Sequence, residues 1–593
     1  MLVCLIFKDL LLERAVGMSE VCVELVGKLV EEMLGLSKEE LSPSDNLISL
    51  GLGSLDIMRI AGLLTKNGCN VTFSELVSNP CMASWVNFAR ERSARSSSNG
   101  SPLLGSANYS KGDPFPITSV QHAYMVGRRD GQELGGTACH AYMEFECGSL
   151  DAAKLERAVE LLILRHPMLR ARFSDDGTAR IEDKVTWKGL TTYRVEGAGN
   201  PDSRIEGIRQ ELSHLRFDIE QDDLIDVRLT VVSPKRTIMH INVDLLAADV
   251  LSIQVLLEDL AHLYDGTDLA PIEIDFMEYA RRTGIGEDAR NEDREYWLNR
   301  IDNMPGGPSL PLKAPMESVK RSQFTRMEYL IDSKSWKNFT EKGRQIGVTQ
   351  SMGIAAVYAK ALSRWSEDKK FLLNLPLFNR KPIHPDVDKI VSDFTSLILL
   401  EADCANAISL LELASQMQGR FQQDVAHSSF GAVEVLRELS HRCPNDPKKA
   451  PVVFASNIGT QFISNKVEDV FGPLSKMLAE TPQVLLDHQI YDHKNGLLLA
   501  WDYVSELLDD KIAKQMFEAY CTAVRFYCEN DWSEPFPDLL PPSQRAARAE
   551  ANSEGADLGG GTLHGRFFAR AQAEPDAPCL LYTSPSPRDG LLS

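Results

Sequence analysis

Two polar stretches divide this chain and decide what each remaining piece can become. Ser93 to Gly112 (SARSSSNGSPLLGSANYSKG) is rich in Ser, Gly and Asn, and Gln544 to Gly561 in Ala, Glu and Gly; neither carries apolar residues at a regular period. Such segments lack the apolar surface that offsets the entropy of ordering a chain, and they read as flexible linkers. The 593 residues are therefore expected to fold as separate cores, one within residues 1–92 and one within 113–541. Residues 542–593 are left as linker and short tail.

The first piece reads as a small helical bundle. Val21 to Leu34 and Ser54 to Thr65 carry apolar residues at helical spacing, and shorter pieces, Phe73 to Val77 and Met82 to Ala89, flank the break at Asn79-Pro80. Gly51 and Gly53 let the loop before the second helix adopt angles that a side chain forbids, holding Ser54 out at the helix start. A serine there caps a helix or is displayed for modification. Beside Asp56, with no histidine in the segment, it is poorly equipped to be a nucleophile in its own right.

In the long piece, strand-like runs (Ala141 to Cys147, Val227 to Val232, Ile238 to Leu245, Phe371 to Leu377) alternate with helix-like runs (Leu150 to Arg165, Ile253 to Tyr264). That alternation predicts a layered α/β architecture. No short-period repeat is present.

A formal charge of -21 with no basic face argues against a nucleic-acid partner. Eleven cysteines lie without C-x-x-C pairs or zinc-ligand spacing, which fits reduced thiols in a cytoplasmic protein and no metal site. Met1 to Leu12 is interrupted by Lys8 and Asp9, lacks a cleavage site and is too short to span a bilayer, so no membrane association is expected. Met18 is a candidate natural start.

The Gly51-Leu52-Gly53-Ser54-Leu55-Asp56 segment resembles the attachment site of acyl and peptidyl carrier domains. That resemblance implies a four-helix carrier bundle with 4'-phosphopantetheine covalently held on Ser54. In the long piece, Phe115-Pro116-Ile117-Thr118 with Gln121, Ala123-Tyr124 and Gly127-Arg128, then His166-Pro167-Met168-Leu169-Arg170, resemble motifs of nonribosomal peptide synthetases. Asp244-Leu245-Leu246-Ala247-Ala248-Asp249, with Ser252 behind it, has two aspartates where plain condensation domains carry paired histidines, a mark of heterocyclization domains. Phe378-Asn379-Arg380, Asp393-Phe394-Thr395-Ser396, Pro451 to Ser456 and Thr481 to Gln489 complete the set in order. The resemblance implies two lobes, each like chloramphenicol acetyltransferase, joined in a V (about 113–285 and about 286–541) with a tunnel that carrier arms enter from opposite sides. Leu563 to Pro578 resembles the opening of an adenylation domain; Thr583 to Ser593 does not continue it and reads as a foreign end.

The implied enzyme joins a carrier-bound acyl group to the amine of a cysteine, serine or threonine on a downstream carrier, then closes the side chain onto the new amide with loss of water. An amide carbonyl is a poor electrophile, a thiol of pKa about 8.5 gains from a proton acceptor, and oxygen leaves only when protonated. The resemblance gives the acid/base role to Asp487, with Gln489 beside it; the bland alternative is a capping or salt-bridged aspartate. Where the family usually has a threonine working with that aspartate, this chain has Ala455. Ser456, Thr395 or a water are the candidates to replace it, or closure is slower. Asp249 is expected to bridge to Arg380 and hold the lobes, with Asp393 a further motif residue. Asp244 stays open between catalysis and structure. His140, His166 and His240 are expected to be packed.

A carrier directly followed by such a domain resembles the loading end of pyochelin- and yersiniabactin-type siderophore synthetases. By that analogy a stand-alone aryl-acid adenylating ligase loads salicylate, a phosphopantetheinyl transferase installs the arm, a downstream carrier brings cysteine, and the product is a tethered hydroxyphenyl-thiazoline. A plain amide-forming condensation enzyme and a non-catalytic docking scaffold are the rivals.

Overall fold

The computed structural model describes residues 112–195, 200–283, 287–378, 380–381, 383–443, 448–553 and 562–576. In the N-terminal segment it describes 23–31, 33–34, 36, 41–50, 52, 57, 60–61, 63–64, 69, 71, 75–76 and 79–95. The attachment candidate Ser54 lies outside the described residues.

In the N-terminal segment Ile57, Ile60, Ala61 and Leu64 fall on one helical face and are buried with Val26, Val30, Leu47, Leu76, Trp85 and Ala89. The Trp85 indole donates to the Leu76 carbonyl at 2.9 Å, so the largest side chain of this core is also hydrogen-bonded. The last helix runs Met82–Arg95, six residues past the expected Ala89.

The middle region is built on two large sheets, besides a small three-stranded one in the order Phe115–Pro116, Thr178–Ile181, Ala171–Ser174. One has five strands in the order Leu474–Glu480, His140–Cys147, Arg236–Asp244, Ile225–Ser233, Thr191–Arg194. Helices Ala152–Arg165 and Val250–Tyr264 pack on one another, burying Leu155, Val159 and Leu162 with Ile253, Leu256, Leu257 and Leu260 in the core of that sheet. The other has six strands in the order Thr395–Asp403, Lys370–Phe378, Val452–Gln461, Leu486–His493, Gly496–Val504, Phe324–Asp332. Val452–Gln461 runs parallel to both its neighbours. Helix Gln350–Ser363 is buried almost all round, as its nearly unbroken apolar sequence requires. Its Gly353 admits the Trp532 ring so closely that an added Cβ would stand 2.4 Å from it.

The five-stranded sheet draws on both halves of the chain. Leu474–Glu480 comes from the C-terminal half of the chain yet pairs antiparallel with His140–Cys147, Glu480 opposite His140. The helix before it, Asn465–Phe471, packs on Val250–Tyr264. Nothing in LSKMLAE distinguishes a strand that changes sheets from one that stays.

Residues Leu540–Ser593 form a separate compact unit. The stretch expected to be linker contains a helix, Pro542–Ser553, exposed along its length. Ala, Arg and Glu are strong helix formers, and local propensity suffices there without an apolar face. A second helix spans Leu563–Ala573.

Candidate active site

Strand alternation builds the site. Along Leu486–His493, Asp487, Gln489 and Tyr491 point to one face and His488 and Ile490 to the other. The neighbouring strand is in register, Val453 opposite Asp487 and Ala455 opposite Gln489, so Val453, Ala455 and Asn457 share the face of Asp487. That face lines a cavity of about 520 Å³ whose walls also include Tyr124, Asp393 and Thr395.

Asp487 is 6% exposed. Its Oδ2 accepts from Gln489 Nε2 at 2.6 Å, while Oδ1 is buried with no hydrogen-bond partner among the described residues. Gln489 is itself oriented: its Oε1 accepts from Arg326 at 2.8 Å and from the Tyr491 hydroxyl at 2.5 Å, which turns the amide nitrogen toward Asp487. Arg326 holds Asp502 with two nitrogens, at 2.7 and 2.6 Å. Burial, aided by the charge of Asp502, pushes the Asp487 carboxyl up to about 7, against the opposing pull of the Gln489 hydrogen bond and Arg326. An acid near neutrality both gives and takes protons.

Asp393 lies two residues before the edge strand Thr395–Asp403. Its Oδ1 accepts from the Thr395 backbone at 3.0 Å and Oδ2 has no partner among the described residues. Burial, with Asp249 adding its charge, pushes it up to about 7. Thr395 thus faces the cavity while its hydroxyl serves Asp393.

His488 is on the wrong face for chemistry. Its Nδ1–H donates to the Ala500 carbonyl at 2.9 Å, leaving Nε2 to accept from the Tyr520 hydroxyl at 2.7 Å, amid Tyr358, Phe454 and Trp501. Burial drops it to about 3, so it is neutral and packed. His240 is bound between Tyr142 and Thr230 at 2.9 Å each, and His166 lies 2.9 Å from Asp259. His140 is fully buried under Glu480.

Two catalytic candidates are not brought to the cavity. Asp244 is buried beneath Arg128, which ion-pairs with it, and it also accepts from the Leu246 backbone at 3.1 Å. Gln121 holds the Leu246 carbonyl at 2.8 Å, so the first motif clamps the Asp244 segment. Ser456, one residue from Ala455, necessarily faces the other way. Its hydroxyl lies 2.7 Å from that of Ser351 and lines a separate cavity of about 350 Å³. It therefore does not stand in for the missing threonine.

Asp249 caps helix Val250–Tyr264, accepting from Ser252 at 2.7 Å, and pairs with Arg380 at 2.9 Å. Arg380 also donates to Ser252 Oγ, which donates to the Ser392 carbonyl at 2.7 Å. This buried knot ties the N-terminal sheet's helix to the segment carrying Asp393. Sequence reasoning missed Arg326, Asp502 and the cavity position of Tyr124. A charge in the middle of an otherwise apolar strand, as in FTRMEY and AWDY, is the signal that marks the first two. Among the described residues, no His/Cys/Asp/Glu group is placed to hold a metal ion, and no helix is long and apolar enough to cross a membrane.

Two sheets around a cavity lined by carboxyls, in a chain that also carries a small helical bundle, define a carrier-fed acyl-transfer enzyme. The chain belongs to the condensation-domain family, which matches residues 115–530, and carries a phosphopantetheine attachment domain matching residues 24–89. It is 35% identical over 565 residues to the phenyloxazoline synthase MbtB of Mycolicibacterium paratuberculosis, covering 93% of this chain and 48% of that protein. It is 34% identical over 573 residues to the pyochelin synthetase PchE of Pseudomonas aeruginosa, covering 95% of this chain and 39% of that protein. The chain thus spans half or less of the length of these relatives. Among solved structures, the cyclization-docking bidomain of EpoB from Sorangium cellulosum aligns with a TM-score of 0.65 at 30% identity, covering 71% of this chain and 86% of that one. The fold is accordingly the two-lobed, V-shaped α/β fold of condensation-type domains, and the middle region is of the heterocyclization type of nonribosomal peptide synthetases.

Proposed function

We propose that residues 1–92 present a salicyl thioester on 4'-phosphopantetheine at Ser54, and that residues 113–541 join it to cysteine on a downstream carrier. Closure to a tethered hydroxyphenyl-thiazoline follows. The names of the relatives support an aryl donor and a five-membered ring, and the phenyloxazoline name supports serine or threonine as the alternative acceptor. The partners are an aryl-acid adenylating ligase, a phosphopantetheinyl transferase and the cysteinyl carrier, all cytoplasmic.

The observation that carries this is Asp487: a buried carboxyl facing the cavity, one oxygen without a hydrogen-bond partner among the described residues, poised near neutrality. The arm supplies a tethered thioester; the rest is the work of this chain's side chains. As carboxylate, Asp487 takes the amine proton while the C–N bond forms. As acid, it protonates the departing hydroxyl after the side-chain sulfur has added to the amide carbon. Ala455 favours one competing outcome, amide formation without closure, because the hydroxyl that would assist closure is missing from that face.

The test loads the phosphopantetheinylated chain with salicylate, adds cysteinyl carrier and weighs the tethered product. A species lighter by one water than the amide is expected; the intact amide alone overturns ring closure in favour of plain condensation.

A further inference from the structure

We propose that the cavity of about 350 Å³ on helix Ser333–Gln345 receives the phosphopantetheine arm of this chain's own carrier and passes its acyl thioester between two strands to Asp487. The inference deepens the carrier-fed function and rests on Ser54 holding that arm.

The sheet opens beside the reacting face. Lys370–Phe378 and Val452–Gln461 are parallel neighbours, yet they pair at Asn374 opposite Val453 and at no further rung among the described residues. Val453 is also opposite Asp487, so Asp487 stands on that same rung. From the next residues on, Leu375 to Phe378 and Phe454 to Ile458 border a gap. Two strand steps of about 4.8 Å separate Asp487 from Asn374, which puts the near end of the gap within roughly 10 Å of the Asp487 backbone. Alternation sets the two cavities on opposite faces of the sheet here: Val453 and Ala455 line the larger, Phe454 and Ser456 the smaller. Pro376 and Phe378 line both, so the edge of the gap is a wall that the cavities share.

The smaller cavity has the chemistry that such an arm needs, with its phosphate, two amides and thioester. Lys337 and Arg344, seven residues apart on one helix face, are exposed on its rim, with Glu341 3.8 Å from Lys337. Two cations against one carboxylate suit a phosphate. Asp492, the other carboxylate lining the cavity, accepts from the Gly459 backbone at 2.6 Å. Below the rim, Thr340 and the Ser351–Ser456 hydroxyl pair, 2.7 Å apart, offer partners to amides, between the apolar side chains of Met352 and Phe421.

The carrier lies on the same helix. Its short helix Leu47–Leu50 packs on Ser333–Gln345. Ser54 follows four residues later, so its Cα is at most about 14 Å from that of Leu50 whatever the path between them. An extended arm spans about 16 Å, more than the roughly 10 Å depth of one helix layer. Threaded through that layer and the gap, it brings the thioester carbon to the face of Asp487 and leaves the larger cavity to the cysteinyl arm.

The test traps the free arm thiol in the full chain, phosphopantetheinylated with coenzyme A and left unloaded. Thr340→Cys, on the helix side of the sheet, and Ala455→Cys, on the Asp487 face, are each treated with a thiol oxidant at low protein concentration, digested and weighed. A disulfide within one chain between the arm and the Thr340→Cys peptide is expected, formed at least about tenfold faster than when Arg344→Glu is added. Trapping at both positions also supports the route, since the arm then spans the gap. Trapping at Ala455→Cys with none at Thr340→Cys overturns it. A disulfide joining two chains overturns delivery by the chain's own carrier, and a rate that Arg344→Glu leaves unchanged overturns the phosphate rim and the site with it. Thr340 is half-buried on a surface helix and close to cysteine in size, so it decides alone if Ala455→Cys fails to fold. A chain that gains no phosphopantetheine mass at Ser54 refutes the carrier reading itself, a result distinct from any of these.

Discussion

Replacing Asp487 by asparagine is expected to make the protein more stable at alkaline pH while weakening its chemistry. An aspartate in the unfolded chain titrates near about 3.9, whereas Asp487 in the folded chain titrates at about 7. Below the first value both states hold the proton and the residue costs nothing. Between the two the unfolded chain has released its proton and the folded chain has not, so stability falls as pH rises; above the second the loss is complete. Three pKa units correspond to about 4 kcal/mol. Asparagine keeps the acceptor for Gln489 Nε2, as protonated Asp487 does, and its folding has no such pH dependence. Urea unfolding followed by tryptophan fluorescence, with Trp501 on the adjacent strand, measures both proteins across that window. Wild type and variant are expected to coincide near pH 4 and to diverge by about 4 kcal/mol by pH 8, the variant being the more stable. The raised carboxyl of Asp393 is common to both and cancels. Stability curves that run parallel with pH would refute the claim that burial sets the state of Asp487.

Ala455→Thr places a hydroxyl on the face shared with Asp487. Ring closure is expected to speed up by at least about threefold and the amide fraction to fall, read by mass from the same loaded-carrier reaction. Arg380→Ala leaves the Asp249 carboxylate buried and unpaired, the Arg380 and Asp249 side chains being 4% and 0% exposed. A loss of about 3–5 kcal/mol in urea unfolding is expected. Loss of closure with unchanged stability would instead make Arg380 a substrate-binding residue.

Much of the scaffold was legible because its pattern is local. The run Ala141 to Cys147 became His140–Cys147, and Phe371 to Leu377 became Lys370–Phe378, since four or more alternating or apolar residues between polar ends specify a strand. The pairing of Asp249 with Arg380 was anticipated from motif order, and the two lie 2.9 Å apart. What stayed hidden depends on tertiary placement: the strand Leu474–Glu480 that joins the other sheet, and the Arg326–Asp502 pair that orients Gln489. Ser456 is a different failure. Its period-two relation to Ala455 was in the sequence, and alternation alone places the two side chains on opposite faces. The exposed helix Pro542–Ser553 was missed because the missing apolar face was weighed above the helix propensity of its residues.

The placement of Arg326 explains why so buried an aspartate is usable at all. A guanidinium facing Asp487 directly would hold it ionised, and no proton would be available for the departing oxygen. Here Nε and Nη2 of Arg326 hold Asp502 while Nη1 faces Glu328, and among the described residues Asp487 receives only a neutral amide N–H from Gln489. The cation still orients that amide through its oxygen, at 2.8 Å, so Asp487 gains a fixed geometry without a fixed charge. Asp502 does more than neutralise the arginine, since its own field also raises Asp487. The same logic holds at Asp393, which also lines the cavity. Arg380 is spent on Asp249 and Ser252, and Asp393 is left, among the described residues, with hydrogen bonds from Thr395. Arg326 and Arg380 are thus committed to Asp502 and Asp249, and Asp487 and Asp393 are left near the midpoint of their titration. General acid–base chemistry on an uncharged amide requires that condition.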